Sequence, residues 1–203
     1  MDIEAGIDLL KKDKNMQVLI NIFGRPDFNP RQDCFQSLLR SIVFQQLSGK
    51  AAQTIYERFV NLIPKTSNYC PNEVLKLNKE EMRKAGLSFR KIDYVRNLAD
   101  YFKNNSFQKK DVERMYDQEI SKELIQIKGI GQWTVDMFLM FTLNRADILP
   151  CTDLGIQKGI MKIFKMKNLP SKKEMENCSR KWRPYRTIAC WYLWRIADEK
   201  FIQ

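Results

Sequence analysis

Apolar residues recur at helical spacing along almost the whole chain, and this regularity constrains the fold more than any other feature. Residues three and four positions apart lie on one face of an α-helix, so such stripes predict helices with one buried face. No segment alternates convincingly between apolar and polar residues as a half-buried strand does. The sequence therefore predicts an all-α fold. The clearest stripe consists of Phe35, Leu38, Leu39, Ile42 and Val43.

Local signals mark several helix ends within this pattern. Ser171 followed by Glu174 forms a capping box, and Asn78 with Glu81 gives a similar start signal. Gly86 is typical of the residue after a helix. These signals divide the chain into short helices joined by brief connections, as expected for a compact helical protein.

The charge balance favours a polyanionic partner. The 203 residues include 35 Lys and Arg against 24 Asp and Glu, giving a formal net charge of +11. Such an excess favours contacts with phosphates and the release of counterions from nucleic acid. A generally lysine-rich proteome would give the same composition, so charge alone leaves both interpretations open.

The cysteine and histidine content excludes several classes of site. The five cysteines include no C-x-x-C pair, and the chain has no histidine. Disulfide scaffolds, zinc fingers and four-cysteine iron–sulfur sites are therefore poorly supported, and no metal site is predicted with certainty. Catalysis by a Ser-His or Cys-His pair is excluded. With no signal peptide and no membrane-spanning run in the sequence, we expect a cytoplasmic protein.

The segment Leu124–Thr134 carries the first strong motif. A short apolar helix leads into Lys128-Gly129-Ile130-Gly131, after which a second apolar helix begins. Two glycines around one apolar residue allow a tight turn, and the amides at the start of the second helix suit a phosphate. Taken alone, a G-x-G turn between helices is more often an ordinary connection.

This hairpin and the segment that follows it resemble the helix-hairpin-helix superfamily of DNA glycosylases, over about residues 30–200. The similarity is greatest to 3-methyladenine DNA glycosylase II and its shorter yeast-type relatives. The block 124–160 carries the resemblance, since it combines the hairpin with Leu149–Ile156. In that family the catalytic aspartate follows the hairpin helix at the place that Asp153 occupies here.

A carboxylate at this place suits the cleavage of an N-glycosidic bond. An ionised carboxylate beside C1′ stabilises the positive charge that develops on the sugar, or helps to orient the attacking water. An N-alkylated purine is already cationic and leaves as a neutral base, which fits a site without histidine. Position alone favours Asp153 as a helix N-cap, and the resemblance implies the catalytic role.

The hairpin also bears on whether the enzyme cuts the DNA backbone. Bifunctional relatives carry a nucleophilic lysine just after G-x-G, which forms a Schiff base with the sugar. Trp133 holds that place here, between Gln132 and Thr134, and Lys128 precedes the turn. The resemblance therefore implies a monofunctional enzyme with water as the nucleophile and no AP-lyase activity.

Aromatic residues suggest a pocket for a flipped, cationic base. Trp133 and Trp194 match tryptophans of the 3-methyladenine branch, and Met137 stands where that family can place a tyrosine. The alternative is that these residues belong to the core. We expect core positions for Trp182 and Trp191.

Four residues match the family's wedge loop between two helices. Leu47 is the candidate plug for the gap left by the flipped nucleotide, and Gln45 or Gln46 would contact base edges. Ser48 stands where some relatives have histidine. An ordinary helix–helix turn is the alternative.

Four basic residues outside these motifs also carry expectations. Arg186 is interpreted as a structural or phosphate contact. Solvated positions are expected for Lys162, Lys165 and Lys167.

The family implies two helical lobes with an active-site cleft between them. One lobe would span 31–143 with the wedge loop and the hairpin, and the other would join 1–30 to 144–203. The implied partner is double-stranded DNA with damaged bases, and no membrane partner is implied. We expect a monomer that is associated with the nucleoid if the source is prokaryotic and lies in the nucleus if it is eukaryotic. No cofactor is required, although a monovalent cation (Na⁺ or K⁺) at the hairpin is a family expectation.

Two rival functions remain open at this point. One is a glycosylase for another lesion, such as uracil, hypoxanthine or oxidised guanine. The other is a catalytically silent helix-hairpin-helix module that only binds DNA. An acidic residue and a tryptophan-rich pocket argue against the silent module, because DNA binding alone needs neither.

Overall fold

The computed structural model describes residues 1–29, 33–47, 49–64, 70–105 and 107–198. Within these ranges the chain forms α-helices and one short 3₁₀-helix without a β-strand, which confirms the all-α prediction. No helix of this part of the chain has the length and apolar character needed to cross a bilayer.

The chain divides into two compact units. The first, called here the hairpin unit, is Arg31–Phe138, and the second, the aspartate unit, joins Met1–Pro30 to Leu139–Gln203. The sequence predicts a boundary after residue 143, whereas the division falls between residues 138 and 139, inside the helix Gln132–Phe141. The last turn of that helix belongs to the aspartate unit because Phe141 packs there against Phe28.

The hairpin unit is built around its longest helix, α7 (Phe89–Asn104), whose buried residues include Ile92, Val95 and Leu98. Helix α7 packs against α3 (Cys34–Phe44) and α5 (Pro71–Lys76), and burial of each such aliphatic side chain contributes about 1.5–3 kcal/mol. The α-helices of this unit are α3 (Cys34–Phe44), α4 (Gly49–Val60), α5 (Pro71–Lys76), α6 (Lys79–Lys84), α7 (Phe89–Asn104), α8 (Lys109–Val112), α9 (Asp117–Ile125) and the first turns of α10 (Gln132–Phe141).

The aspartate unit is centred on α13 (Arg186–Asp198), which packs against α11 (Leu154–Ile163), α2 (Lys14–Phe23) and α1 (Ile3–Leu10). Its helices are α1 (Ile3–Leu10), α2 (Lys14–Phe23), α11 (Leu154–Ile163), α12 (Lys172–Ser179), the 3₁₀-helix Arg180–Trp182 and α13 (Arg186–Asp198). Trp182 is fully buried, and its indole nitrogen donates to Asp13 Oδ2 at 2.6 Å. The expected core position of Trp182 is therefore confirmed.

The predicted helix ends are confirmed in this fold. Both hydrogen bonds of the Ser171–Glu174 capping box are present at the start of α12. Asn78 caps α6, where its side chain accepts from the Glu80 amide, and Gly86 follows the end of that helix. These local interactions fix where each short helix begins or ends, independently of the core.

Candidate active site and DNA-binding hairpin

The hairpin of the hairpin unit connects α9 to α10 through residues 126–131. Gly129 has φ +110°, and a β-carbon at this position would lie 2.3 Å from Cγ of Tyr94. Both the left-handed backbone and the ring of Tyr94 therefore require glycine here. Gly131 is exposed, and a β-carbon there would meet nothing within 4 Å.

One side chain of α7 and one of the wedge loop after α3 donate hydrogen bonds to carbonyls of the hairpin. Asn97 Nδ2 donates to the Lys128 carbonyl at 3.2 Å, and Gln45 Nε2 donates to the Gly129 carbonyl at 2.9 Å. Exposed residues 131 and 132 lie at the start of α10, where the first amides of a helix have no intrahelical acceptor. The arrangement can therefore offer N–H groups to a phosphate.

The predicted wedge loop begins where α3 ends. Lys91 Nζ donates to the carbonyls of Val43 and Gln45, at 2.5 and 2.8 Å, and burial lowers the pKa of Lys91. Gln46 adopts φ +55°, and Leu47 is 40% exposed. Ser48 lies outside the described residues. The loop thus presents Gln46 and Leu47 to solvent from a fixed base.

Gln45 has a structural role that the sequence did not indicate. Its side-chain nitrogen donates to the Gly129 carbonyl and also to Thr134 Oγ1, at 3.0 Å. Gln45, one of the two glutamines of which either was expected to contact base edges, therefore joins the wedge loop to the hairpin and to α10. Gln46 is the exposed glutamine of the pair.

In the aspartate unit, Asp153 is the N-cap of α11. Its Oδ1 accepts from the Ile156 amide at 2.9 Å, as an N-cap does, and also from Trp194 Nε1 at 2.9 Å. The residue is half-buried. The cap position and a chemical role are therefore compatible, because capping orients the carboxylate.

The segment that leads to Asp153 is held by the start of α13. Thr187 Oγ1 accepts from the Ile148 amide at 3.1 Å and donates to the Arg145 carbonyl at 2.7 Å. Arg186 is 9% exposed and donates to both the carbonyl and the carboxylate of Asp147. Of the two roles expected for Arg186, the structure therefore shows the structural one.

Trp194 lies in a row of aromatic rings within the aspartate unit. Its ring centroid is 5.9 Å from that of Phe141, with 31° between the planes, and Phe141 stacks on Phe28 at 6.0 Å. Phe141 is not among the residues predicted from the sequence. It follows Met137 by one helical turn and continues the same face of α10, which was the available signal.

The other predicted aromatic positions differ in exposure. Trp133 is half-buried near the start of α10, and Met137, one turn later, is 8% exposed. Trp191 is half-buried rather than part of the fully buried core, and its indole nitrogen donates to Asp27 Oδ1 at 3.1 Å. Over the described ranges, His, Cys, Asp and Glu side chains form no group suited to a metal ion.

The hairpin thus exposes amides that suit a phosphate, and the aspartate unit carries a capped, half-buried carboxylate. The chain belongs to the HhH-GPD superfamily of base excision DNA repair proteins, whose family model matches residues 39–184. This confirms the resemblance inferred from the hairpin and Asp153.

Named relatives support the same family. The chain is 35% identical over 198 residues to DNA-3-methyladenine glycosylase 1 of Schizosaccharomyces pombe, covering 96% of this chain and 87% of the relative. The structure of the 3-methyladenine DNA glycosylase of that yeast in complex with abasic DNA matches with TM-score 0.87 and 33% identity, over 98% of this chain and 99% of the other. The DNA-3-methyladenine glycosidase of Bacillus halodurans matches with TM-score 0.79 and 34% identity, over 95% and 89% of the two chains.

Proposed function

We propose that this protein is a DNA glycosylase that hydrolyses the N-glycosidic bond of N-alkylated purines, of the 3-methyladenine and 7-methylguanine type, in double-stranded DNA. The observation that carries the proposal is the carboxylate of Asp153, which two N–H donors orient at the start of α11. An oriented carboxylate stabilises a sugar cation without having to reorganise during the reaction.

The proposed reaction needs only water besides the substrate. The C1′–N bond of the cationic nucleotide breaks, and its electron pair neutralises the departing base. Asp153 stabilises the positive charge on the sugar while a water oxygen bonds to C1′ and its proton passes to solvent. The products are a neutral alkylated base and an abasic site.

The other predicted residues would bind the DNA and the flipped base. The amides around Gly131 would bind backbone phosphate without reading sequence, and Leu47 would fill the gap in the stack. Trp133, Met137 and Trp194 would contact the base. Aromatic faces favour a cationic purine, which is the reason for preferring alkylated bases over uracil.

The decisive experiment is the release of free bases from alkylated duplex DNA, identified by chromatography. We expect 3-methyladenine and 7-methylguanine in the released fraction. Release of uracil or hypoxanthine from matched duplexes, with no alkylated base, would replace the proposed substrate. Binding of DNA with no released base of any kind would favour a non-catalytic module.

We further propose that the enzyme is monofunctional. Trp133 follows the hairpin where a Schiff-base lysine would stand, so water is the proposed nucleophile. Incubation with alkylated DNA and borohydride should trap no covalent enzyme–DNA adduct and should leave the strand uncut before alkali is added. A trapped adduct would contradict this proposal.

Binding of a monovalent cation by hairpin carbonyls is part of the proposal. The carbonyls of Ile127, Lys128 and Gly129 each accept one hydrogen bond, and each oxygen has a second lone pair. Neutral oxygens of this kind suit Na⁺ or K⁺. Replacing K⁺ by tetramethylammonium at equal ionic strength should weaken binding to undamaged DNA, and equal affinity in both salts would exclude the cation.

We also propose that the protein is a monomer and acts in the compartment that holds the cell's DNA. Size-exclusion chromatography would check the mass of the monomer.

A further inference from the structure

Helix α11 carries a glycine that leaves room for the indole of Trp194. A β-carbon on Gly155 would lie 2.7 Å from Trp194 Cδ1, 3.2 Å from Trp194 Nε1 and 3.1 Å from Asp153 Oδ1. Gly155 lies in the first turn of a regular helix, where other residues are equally able to adopt the backbone conformation. Space, rather than conformation, is therefore the requirement at this position.

The same face of α11 lies close to α13 over the next two turns. A β-carbon on Gly159 would lie 2.5 Å from the carbonyl oxygen of Leu193, the residue before Trp194. Lys162 Nζ donates to the carbonyls of Ile196 and Ala197 at the end of α13, at 2.7 and 3.1 Å. The expectation that Lys162 belongs to a solvated face is therefore wrong, because its ammonium group binds carbonyls at the C-terminal end of a helix.

We infer that Gly155 is a positioning residue of the glycosylase reaction, since it admits the Trp194 N–H group that orients the carboxylate of Asp153. This inference rests on the proposed function, in which Asp153 acts on the sugar. It also gives Trp194 a second role beside contact with the base. The tilted ring contact with Phe141 and the hydrogen bond to Asp153 fix the orientation of the indole before any base enters.

Two substitutions distinguish the effect of the Trp194–Asp153 hydrogen bond from the effects of ring stacking and of misfolding. Trp194→Phe keeps an aromatic ring and removes the N–H donor, whereas Gly155→Ala keeps the donor and displaces it from Asp153. Each variant should lower the single-turnover rate of base excision by about 10- to 100-fold, the effect of losing a hydrogen bond to a charged group. Affinity for abasic DNA should change much less, since the hairpin is untouched.

The double variant tests whether both residues act through one contact. Once the N–H donor is absent, displacing the ring breaks no further bond to Asp153. The double variant should therefore be about as slow as the slower single variant, far from the product of the two losses. Trp191→Phe is the matched control, because it removes an indole–carboxylate bond to Asp27 from the same helix. Its excision rate should equal that of the wild type.

The indole ¹H–¹⁵N resonance of Trp194 provides a readout that does not depend on activity. It should move upfield in Gly155→Ala, as an indole N–H released from a carboxylate does, while the Trp191 resonance stays in place. If the resonance moves and excision proceeds at the wild-type rate, the positioning role is overturned and the proposed function stands. If the wild type releases no base from alkylated DNA, the proposed function fails and the positioning role fails with it. If the Gly155→Ala variant does not fold, the excision rates of Trp194→Phe and of its control, Trp191→Phe, test the positioning role.

Discussion

The hairpin and the segment around Asp153 (residues 145–156, called here the Asp153 segment) each depend on a glycine next to an aromatic ring, but they need that glycine for different reasons. Gly129 has a left-handed backbone and lies against Tyr94, so it needs both conformational freedom and space. Gly155 is helical and lies against Trp194, so it needs only space. The first glycine shapes a backbone, and the second admits a side-chain hydrogen bond.

This difference shows that the hairpin and the segment around Asp153 have different chemical roles. The hairpin presents backbone amides, which suit a phosphate and are insensitive to base identity. The Asp153 segment presents an oriented carboxylate and an indole, which suit a reaction at one sugar. Substitutions in the hairpin should therefore change DNA affinity, and substitutions around Asp153 should change the rate of base release.

Asp153→Asn is the strongest test of this division. Asparagine keeps an oxygen that accepts from the Ile156 amide, so α11 keeps its cap, but the negative charge is lost. We expect base release to fall by roughly 100-fold or more while DNA affinity persists. Asp33→Asn, at the N-cap of α3, removes a comparable charge and should leave release unchanged. Wild-type excision of N-alkylated purines by the Asp153 variant would contradict the mechanism.

Gly129→Ala should have the opposite profile. The left-handed conformation costs alanine about 1–2 kcal/mol, and the clash with Tyr94 adds to that cost. We expect a melting temperature lower by several degrees, at roughly 2–4 °C per kcal/mol, and weaker binding to undamaged as well as damaged DNA. Gly24 already has φ +67°, and a β-carbon there would meet nothing within 4 Å, so Gly24→Ala measures backbone strain alone. A Gly129 variant that binds DNA normally would remove the hairpin from the binding surface.

Substitution of either predicted pocket tryptophan, Trp133 or Trp194, should lower mainly the rate of base release and not the affinity for DNA. Stacking of a base on an aromatic ring is worth about 1–3 kcal/mol, or roughly 5- to 150-fold in rate. Trp133→Ala and Trp194→Ala should therefore reduce excision more than they reduce nonspecific DNA affinity. The Trp194 variant should lose more, since it also removes the donor to Asp153. Equal losses of excision and affinity would count against a base pocket.

The sequence predicted the features that depend on neighbours along the chain. Helical stripes, the Ser171 capping box and the place of the hairpin all follow from residues within a few positions of one another. The sequence did not predict the contacts of Gly155, Lys91 and Lys162, because each contact joins residues that are 34 to 48 positions apart. A glycine in a helix and a lysine on its surface give no local sign of the partner that packs against them.

Each unit contains one tyrosine whose ionisation at alkaline pH should lower stability, and Tyr192 is fully buried whereas Tyr101 is partly buried. Burial raises the pKa of Tyr192 in the aspartate unit to about 12, and its hydroxyl donates to the Gly24 carbonyl. In the hairpin unit, burial, followed by a hydrogen bond to Glu123, raises the pKa of Tyr101 further above its usual range. Because the folded pKa exceeds the unfolded one, each phenol contributes stability that is fully present below about pH 10 and is lost as pH rises.

For Tyr192 the loss falls between about pH 10 and 12 and amounts to roughly 1–3 kcal/mol. Denaturant unfolding measured across this window should show stability falling with pH, and Tyr192→Phe should flatten the fall while lowering stability at pH 7 through the lost hydrogen bond to Gly24. Tyr101→Phe is the matched variant in the hairpin unit. If the two units unfold together, each substitution flattens the same single transition. If they unfold separately, each changes only the transition of its own unit, whereas a slope unaltered by either variant would mean that neither phenol carries the alkaline loss.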